Sequence, residues 1–301
     1  MRFENRPPAE GINATPEHLG REAAWLIVGG LAAMVLVVVL ADLGARWLAP
    51  HLPFSAELAL AERMEADAKP PPPPERAANA ALQQLADRLR GPLGLPDGLS
   101  VQVRVDSSEE VNAYATVGGR IVIHRGLLRR LQREDELAAL LAHEMSHVRH
   151  RHVAASLGRA LAVGVVLSAV SADVGGQAAQ VILNQGGGLL MLGYSRDHER
   201  EADRDAVQAA AALHGHVGGV LGLFEQMGRT QACDERQPAR TGRAQPPNWL
   251  STHPSDRDRT EAARQWAHDA GVPLQGDAPA LSPALLAFVA QGKSACRPDP
   301  A

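Results

Sequence analysis

Aromatic side chains are scarce in this 301-residue chain, at 3% of positions. Without them the core has to be assembled mainly from Ala, Val and Leu, which suits close-packed helices better than a β-sandwich. Cysteine is rarer still: Cys233 and Cys296 are the only two, too few for a disulfide-rich scaffold or a cysteine-based zinc cluster. In an oxidising compartment they could form one bridge between the C-terminal tail and an earlier loop; elsewhere they are ordinary thiols. No block of basic residues stands out and the formal net charge is -4, so the charge pattern gives no reason to expect nucleic acid as a partner. What the chain does have is 45% hydrophobic content, ample for a packed, mainly helical core.

One uncharged run stands apart. Residues Ala23 to Ala41, "AAWLIVGGLAAMVLVVVLA", carry no charge, and at about 1.5 Å per residue they reach roughly the 30 Å of a bilayer core. Trp25 and Trp47 bracket the run as interfacial aromatics would, and Asp42 trims its far end. The alternatives are a buried helix and a cleaved signal peptide; the long polar segment in front and the length of the run argue against the second. The expectation is an N-terminal tail, residues 1–22, followed by an uncleaved membrane anchor, 23–49. Arg2, Arg6 and Arg21 precede the run while Arg46 and Arg63 follow it. That slight asymmetry favours an N-terminus inside, with the rest across the membrane, which for a bacterial inner membrane means the periplasm.

Next comes "KPPPPPER", Lys69 to Arg76, predicted to be a stiff polyproline spacer within a linker, 50–78. "ANAALQQLADRLRG" resumes a helical pattern, with Leu82, Leu85 and Leu89 on one face and Gly91 as a stop. A folded domain is therefore expected over 79–292, with a short tail, 293–301. "LSVQVRVD" alternates apolar and polar residues, and "NAYATVGGRIVIHRGLL" contains two strand-like runs joined at Gly118-Gly119. The fold class predicted is mainly α with a small antiparallel β-sheet, plus one N-terminal transmembrane helix. The sheet is either purely structural or offers an edge at Asn112, Ala113, Tyr114 and Ala115 that pairs with an extended peptide. Between Val153 and Tyr194 only Arg159 and Asp173 are charged. Two apolar helices are predicted there, too short to cross a bilayer and so buried or in shallow contact with it.

The chemistry concentrates in "EDELAALLAHEMSHVRHRH", read as one helix with acids in its first turn and cations in its last. His143 and His147 are four apart, one turn along one face, where both imidazoles can bind one zinc ion while Glu144 takes a proton from water at the metal. A solvated, histidine-rich helix end is the bland alternative. A catalytic zinc wants a third protein ligand. His150 lies about 10 Å along the axis from His143, too far to share an ion, and His152 points to the opposite side; both read as a solvated helix end. The better candidate is in "YSRDHEREADRDA", where Glu199 and Asp203 share a helix face. Glu199 could complete the site and Asp203 could accept the free ring N–H of a ligating histidine. The alternative for that helix is a charged, solvated face, the reading given to His198, Glu201 and Asp205.

HExxH followed some fifty residues later by "SRDHEREAD" resembles the HtpX, Oma1 and CAAX-prenyl-protease family of zinc metallopeptidases, including its periplasmic BepA-like members. "NAYATVGGRIVIHRGLL" is similar to that family's NAFA-x-PGG-x-I-x-V-x-x-GLL element and "STHPSDRDR" to its THP-x-x-x-x-R element. The likeness covers about Leu82 to Ala270. It implies zinc ligands His143, His147 and Glu199, general base Glu144, supporting Asp203, and His253 and Arg259 close to the metal, where they could stabilise the tetrahedral intermediate or control access. Two departures are visible: Val117 stands where proline is usual, and the two clear extra membrane spans of HtpX are lacking.

The function expected is a membrane-anchored, zinc-dependent endopeptidase in quality control of the cell envelope, with one zinc per chain and a protein or peptide as substrate. The rival classes are a metal-binding chaperone or assembly factor, against which Glu144 speaks because binding needs no base, and a helical membrane-tethered protein whose histidines bind nothing.

Overall fold

The expected anchor is the first helix, α1 (Leu19–Leu48), in a computed structural model that describes residues 19–48, 51–66, 70–160, 194–235, 253 and 257–292. Within α1, Gly20–Ala41 has a mean hydropathy of 2.7 and is unburied. Among the described residues it is the one helix long and apolar enough to cross a membrane.

Part of the expected linker is helical. In α2 (Phe54–Glu65), Ala61 is buried and faces Gly118, Glu57 pairs with Arg151 at 2.6 Å, and Phe54 lies beneath the Arg151 guanidinium. Local sequence hides this docking because every partner lies far along the chain. The proline run also departs from expectation. Pro72 is extended, but α3 (Pro73–Leu89) starts inside the run. Proline is tolerated in a first turn, where the N–H it lacks would have no helical partner anyway.

Strands β1 (Gln102–Asp106), β2 (Ala113–Thr116) and β3 (Arg120–His124) form one sheet in the order β1-β3-β2. The β2-β3 pair is antiparallel, with Ala113 opposite Ile123 and Thr116 opposite Arg120. β1, however, runs parallel to β3, Gln102 opposite Arg120, so the sheet is mixed and not antiparallel throughout. The reason is burial: β3 is buried at every position, whereas β1 alternates. A strand buried on both faces takes the centre, and residues 107–112 carry the chain past it to pair on its far side. The outer edge of β1 is satisfied by α3, whose Asn79 and Gln83 side chains accept from Val105 N (2.7 Å) and Val103 N (3.1 Å). The β2-β3 turn needs its glycines. Gly119 has φ 69°, and a Cβ there would sit 2.0 Å from the Ser100 carbonyl oxygen.

At the centre is α5 (Glu134–Arg149), reached through the short α4 (Arg125–Leu128). Every residue from Asp135 to Val148 is buried. Leu137, Leu140 and Leu141 are fully enclosed, each contributing about 1.5–3 kcal/mol by burial. α5 packs against α6 (Arg196–His214) and α7 (Gly218–Glu235), α8 (Arg257–Asp269) crosses both of these, and α9 (Pro283–Ala290) covers α3. α6 buries Ala202, Ala206, Ala209 and Ala210, side chains small enough for close helix contact, as the shortage of aromatics required. Residues 152–160 are helical. The remainder of the two apolar helices expected up to Tyr194, and Cys296 with its possible bridge, lie outside the described residues.

Candidate metal centre

A helix buried on all sides cannot leave its polar groups unpaired without a cost of several kcal/mol, and α5 buries His143, Glu144 and His147 completely. Their partners come from α6, from the loop at His253 and from α8. His143 Nε2 and His147 Nε2 face each other at 3.2 Å. Glu199, one turn into α6, whose N-terminus is capped by the Ser195 hydroxyl, brings Oε2 to 3.5 Å from His143 Nε2 and Oε1 to 3.5 Å from His147 Nε2. With metal–ligand bonds near 2.0–2.1 Å, adjacent ligands of a tetrahedral zinc lie about 3.3–3.4 Å apart. The two imidazole nitrogens and the two oxygens of one carboxylate already stand near that spacing, so the donor set fits one zinc ion. His253 joins them: Nδ1 is 3.1 Å from His143 Nε2 and 2.9 Å from Glu199 Oε1. One ligand atom from each of the four residues fits within 4.8 Å of all the others, a group that could hold one metal ion.

Behind His143 and Glu199 stands a carboxylate clamp. Asp203 Oδ1 is 3.0 Å from His143 Nδ1, which fixes that ring with Nε2 directed at the centre. Arg259 donates to both Asp203 oxygens, at 2.6 and 2.7 Å, and lies 3.3 Å from Glu199 Oε2. Burial alone would raise both acids; for Glu199 the neighbouring His253, His143 and Arg259 outweigh it, for Asp203 His143 and Arg259 do, and both carboxyls fall below their ordinary values. Burial lowers His253 too, but the Glu199 and Glu144 carboxylates more than offset this and raise it. Burial, reinforced by the surrounding imidazoles, drives His147 well below its usual value, so its ring is neutral. Glu144 is enclosed, with Oε1 3.5 Å from His253 Nε2.

Geometry thus brings together His143, Glu144, His147, Glu199, Asp203, His253 and Arg259. The β2 edge also lies beside α5. His124 N donates to Asn112 O and Tyr114 is opposite Val122, so by alternation the main-chain groups of Ala113 and Ala115 face away from β3.

Several residues assigned to solvent prove to be internal. α5 stops at Arg149, and Arg151, at φ 60°, is the one non-glycine residue of positive φ among the described residues. Such a residue costs roughly 1–2 kcal/mol; here Glu57 and the Leu52 carbonyl hold its side chain. The turn swings His152 back under the helix, burying it, where a continuous helix would have pointed it away. His152 Nδ1 reaches His147 Nδ1 at 2.9 Å, and its ring stacks on buried His198 at 3.9 Å. His150 is half-buried and, with Ser146 and Arg149, binds Asp205, itself buried, tying α5 to α6. Glu201 stays partly exposed but pairs with both His150 and His152. Tyr194, assigned no role from sequence, stacks on His147 at 3.8 Å; its place just before the Ser195 cap was the available signal. Burial and the Glu144 and Glu199 charges push its phenol well up, keeping it neutral.

Two imidazoles a turn apart, a carboxylate from a second helix and an enclosed glutamate beside them define the class as an HExxH-type metal centre. Residues 76–267 match peptidase family M48, and the chain belongs to that family, whose members use zinc. It is similar to the mitochondrial metalloendopeptidase OMA1 of Schizosaccharomyces pombe, 30% identical over 193 residues, 64% of this chain and 53% of the relative. It is also similar to the beta-barrel assembly-enhancing protease of Escherichia coli (strain K12), 30% identical over 54% of this chain and 33% of that one. The metalloprotease YcaL of the same strain is 31% identical over 50% and 61%. The chain spans between about a third and three fifths of the length of these relatives.

Proposed function

We propose that this chain is a membrane-anchored zinc endopeptidase of the bacterial inner membrane, acting on proteins of the cell envelope from the periplasmic side. The observation that carries the reading is the triangle of His143 Nε2, His147 Nε2 and Glu199 oxygens at 3.2–3.5 Å with Glu144 enclosed beside it. His143, His147 and Glu199 hold the metal. Zinc, when bound there, supplies Lewis-acid chemistry, polarising the scissile carbonyl and acidifying water. Glu144 accepts the proton of the attacking water and returns it to the leaving amine. His253, its Nε2 directed at Glu144, keeps that carboxylate aimed and places positive charge where the carbonyl oxygen gains negative charge. Its Nδ1 also lies among the ligand atoms, which supports a second reading in which it fills the fourth position at rest. Asp203 and Arg259 hold His143 and Glu199 in register. An extended substrate pairs with the outward main chain of Ala113 and Ala115, in the edge formed by Asn112, Ala113, Tyr114 and Ala115.

The anchor is residues 23–49, and the arginine asymmetry around it supports a periplasmic domain. The catalytic domain extends to residue 292. Because α2 docks on the turn at Gly118, the working unit is taken to begin at α2, ahead of the residue 79 expected from sequence. Envelope quality control is supported by the names of the relatives; the chaperone alternative has no observation in its favour. The test is Glu144→Gln in the full chain in detergent, with casein as substrate. The variant should keep one zinc and lose cleavage, and the parent should lose cleavage to a chelator; an unchanged rate in the variant refutes the mechanism.

A further inference from the structure

A ligating imidazole leaves one ring nitrogen turned away from the metal, and what that nitrogen meets sets the tautomer and the angle of the ring. His143 turns Nδ1 to a carboxylate, Asp203. His147 turns Nδ1 to another imidazole, His152, at 2.9 Å. If His147 offers Nε2 to the metal, a neutral ring carries its proton on Nδ1, so the nitrogen facing it has to be an acceptor. His152 Nδ1 is then bare and its proton sits on Nε2. That nitrogen has its own acceptor, Glu201 Oε2, at 3.1 Å. The second Glu201 oxygen is steadied by His150 Nδ1 at 3.2 Å, and the His152 ring is held flat against His198 with an interplanar angle of 11°.

We propose that His152 is a positioning residue of the metal site, relaying the orienting charge of Glu201 to the ligand His147. The proposal rests on the reading of His147 as a metal ligand. The chain of donors runs one way only: His147 Nδ1–H to His152 Nδ1, then His152 Nε2–H to Glu201. Glu199 and Glu201 are two apart on α6 and so face different sides, one carboxylate inside with the metal and the other at the surface. Glu201 gains the interior only through the length of an imidazole. The two ligand histidines are therefore oriented differently, His143 by an enclosed carboxylate already neutralised by Arg259, His147 by a partly exposed one through an intervening ring. The relay also makes His147 depend on the turn at Arg151, and so on α2, which holds that turn at Glu57 and Leu52.

The experiment compares the parent, His152→Phe and His152→Gln as full chains in detergent micelles. Zinc affinity is read by competition with a chromophoric chelator, and geometry by the visible spectrum of the cobalt(II)-loaded proteins. Phe keeps an aromatic ring but offers no acceptor, and should weaken zinc binding about 10- to 100-fold and alter the cobalt bands. Gln can accept from His147 with its oxygen and donate to Glu201 with its amide, and should stay within about threefold of the parent. Parent-like affinity and spectrum in the Phe variant, or a Gln variant as weak as Phe, overturns the relay. Should the Phe variant fail to fold, Glu201→Leu, at a partly exposed position, decides: weakened zinc binding supports the relay and parental affinity refutes it. A parent that binds no zinc defeats the ligand assignment and the relay together, whereas tight binding by parent and Phe variant alike defeats the relay alone.

Discussion

Replacing Asp203 by Asn removes one charge and turns one acceptor into a donor behind His143 and Glu199. Asp203 Oδ1 meets Arg259 Nη2 at 2.6 Å and His143 Nδ1 at 3.0 Å, while Oδ2 meets Arg259 Nε at 2.7 Å. An amide can keep its oxygen at the first position, but its NH2 then faces the Arg259 Nε–H, donor against donor. The guanidinium, 7% exposed, keeps Glu199 Oε2 at 3.3 Å. Breaking a buried ion pair from one side costs about 3–5 kcal/mol. The Glu199 contact shares the charge, so the expected loss is at the lower end, about 3 kcal/mol, a large part of a typical 5–15 kcal/mol. The assay is urea unfolding of the metal-free full chain in non-ionic detergent, metal-free so that zinc binding does not mask the difference. The pH dependence has a definite sign. The Asp203 carboxyl lies below its ordinary 3.8 in the folded state, so its contribution is complete above that value and disappears as pH falls through the folded pKa. The gap between parent and variant should therefore be constant at neutral pH and close in strong acid. A loss under about 1 kcal/mol at pH 7 with an unchanged denaturant slope would refute the reasoning, because it would mean that Arg259 is adequately paired without Asp203.

Gly119→Ala adds a Cβ 2.0 Å from the Ser100 carbonyl at φ 69°, so the β2-β3 turn has to open; a loss of more than about 2 kcal/mol by thermal or urea unfolding is expected. His253→Ala should lower kcat about 100-fold with little change in KM, as loss of a charge-stabilising donor does; a faster variant would instead mark His253 as a ligand that blocks the resting site. A periplasm-dependent reporter fused after residue 301 should be active in a bacterial host, and an inactive fusion that is present in the membrane would reverse the proposed orientation.

Much of the site is legible in the motifs alone. Helix periodicity puts His143 above His147 in any helical context, and a four-residue spacing does the same for Glu199 and Asp203, so each half of the centre is a local property. Which nitrogen meets which oxygen is not. Glu199 and His147 approach only because α6 lies against α5, and His253 arrives from a loop more than a hundred residues past the HExxH helix. The misread residues share one cause. Helix periodicity continued through Arg151 points His152 away, but the left-handed turn there depends on Glu57 and Leu52, about a hundred residues earlier. Likewise alternation in β1 reveals a face and not a neighbour, so its parallel pairing is not local, and α2 finds its partners only in the folded domain.

By itself, therefore, the sequence determined a mainly helical chain with one membrane-length apolar helix, the HExxH helix and the acids of the second helix, since these follow from period, composition and spacing within a few turns. Tertiary structure alone decided the ring nitrogens that converge, the enclosure of Glu144, the clamp between Asp203 and Arg259, and the return of His152 beneath His147. Those depend on contacts between segments that are distant along the chain, and the free energy that holds them comes from the burial of α5 among its neighbours, which no local pattern contains.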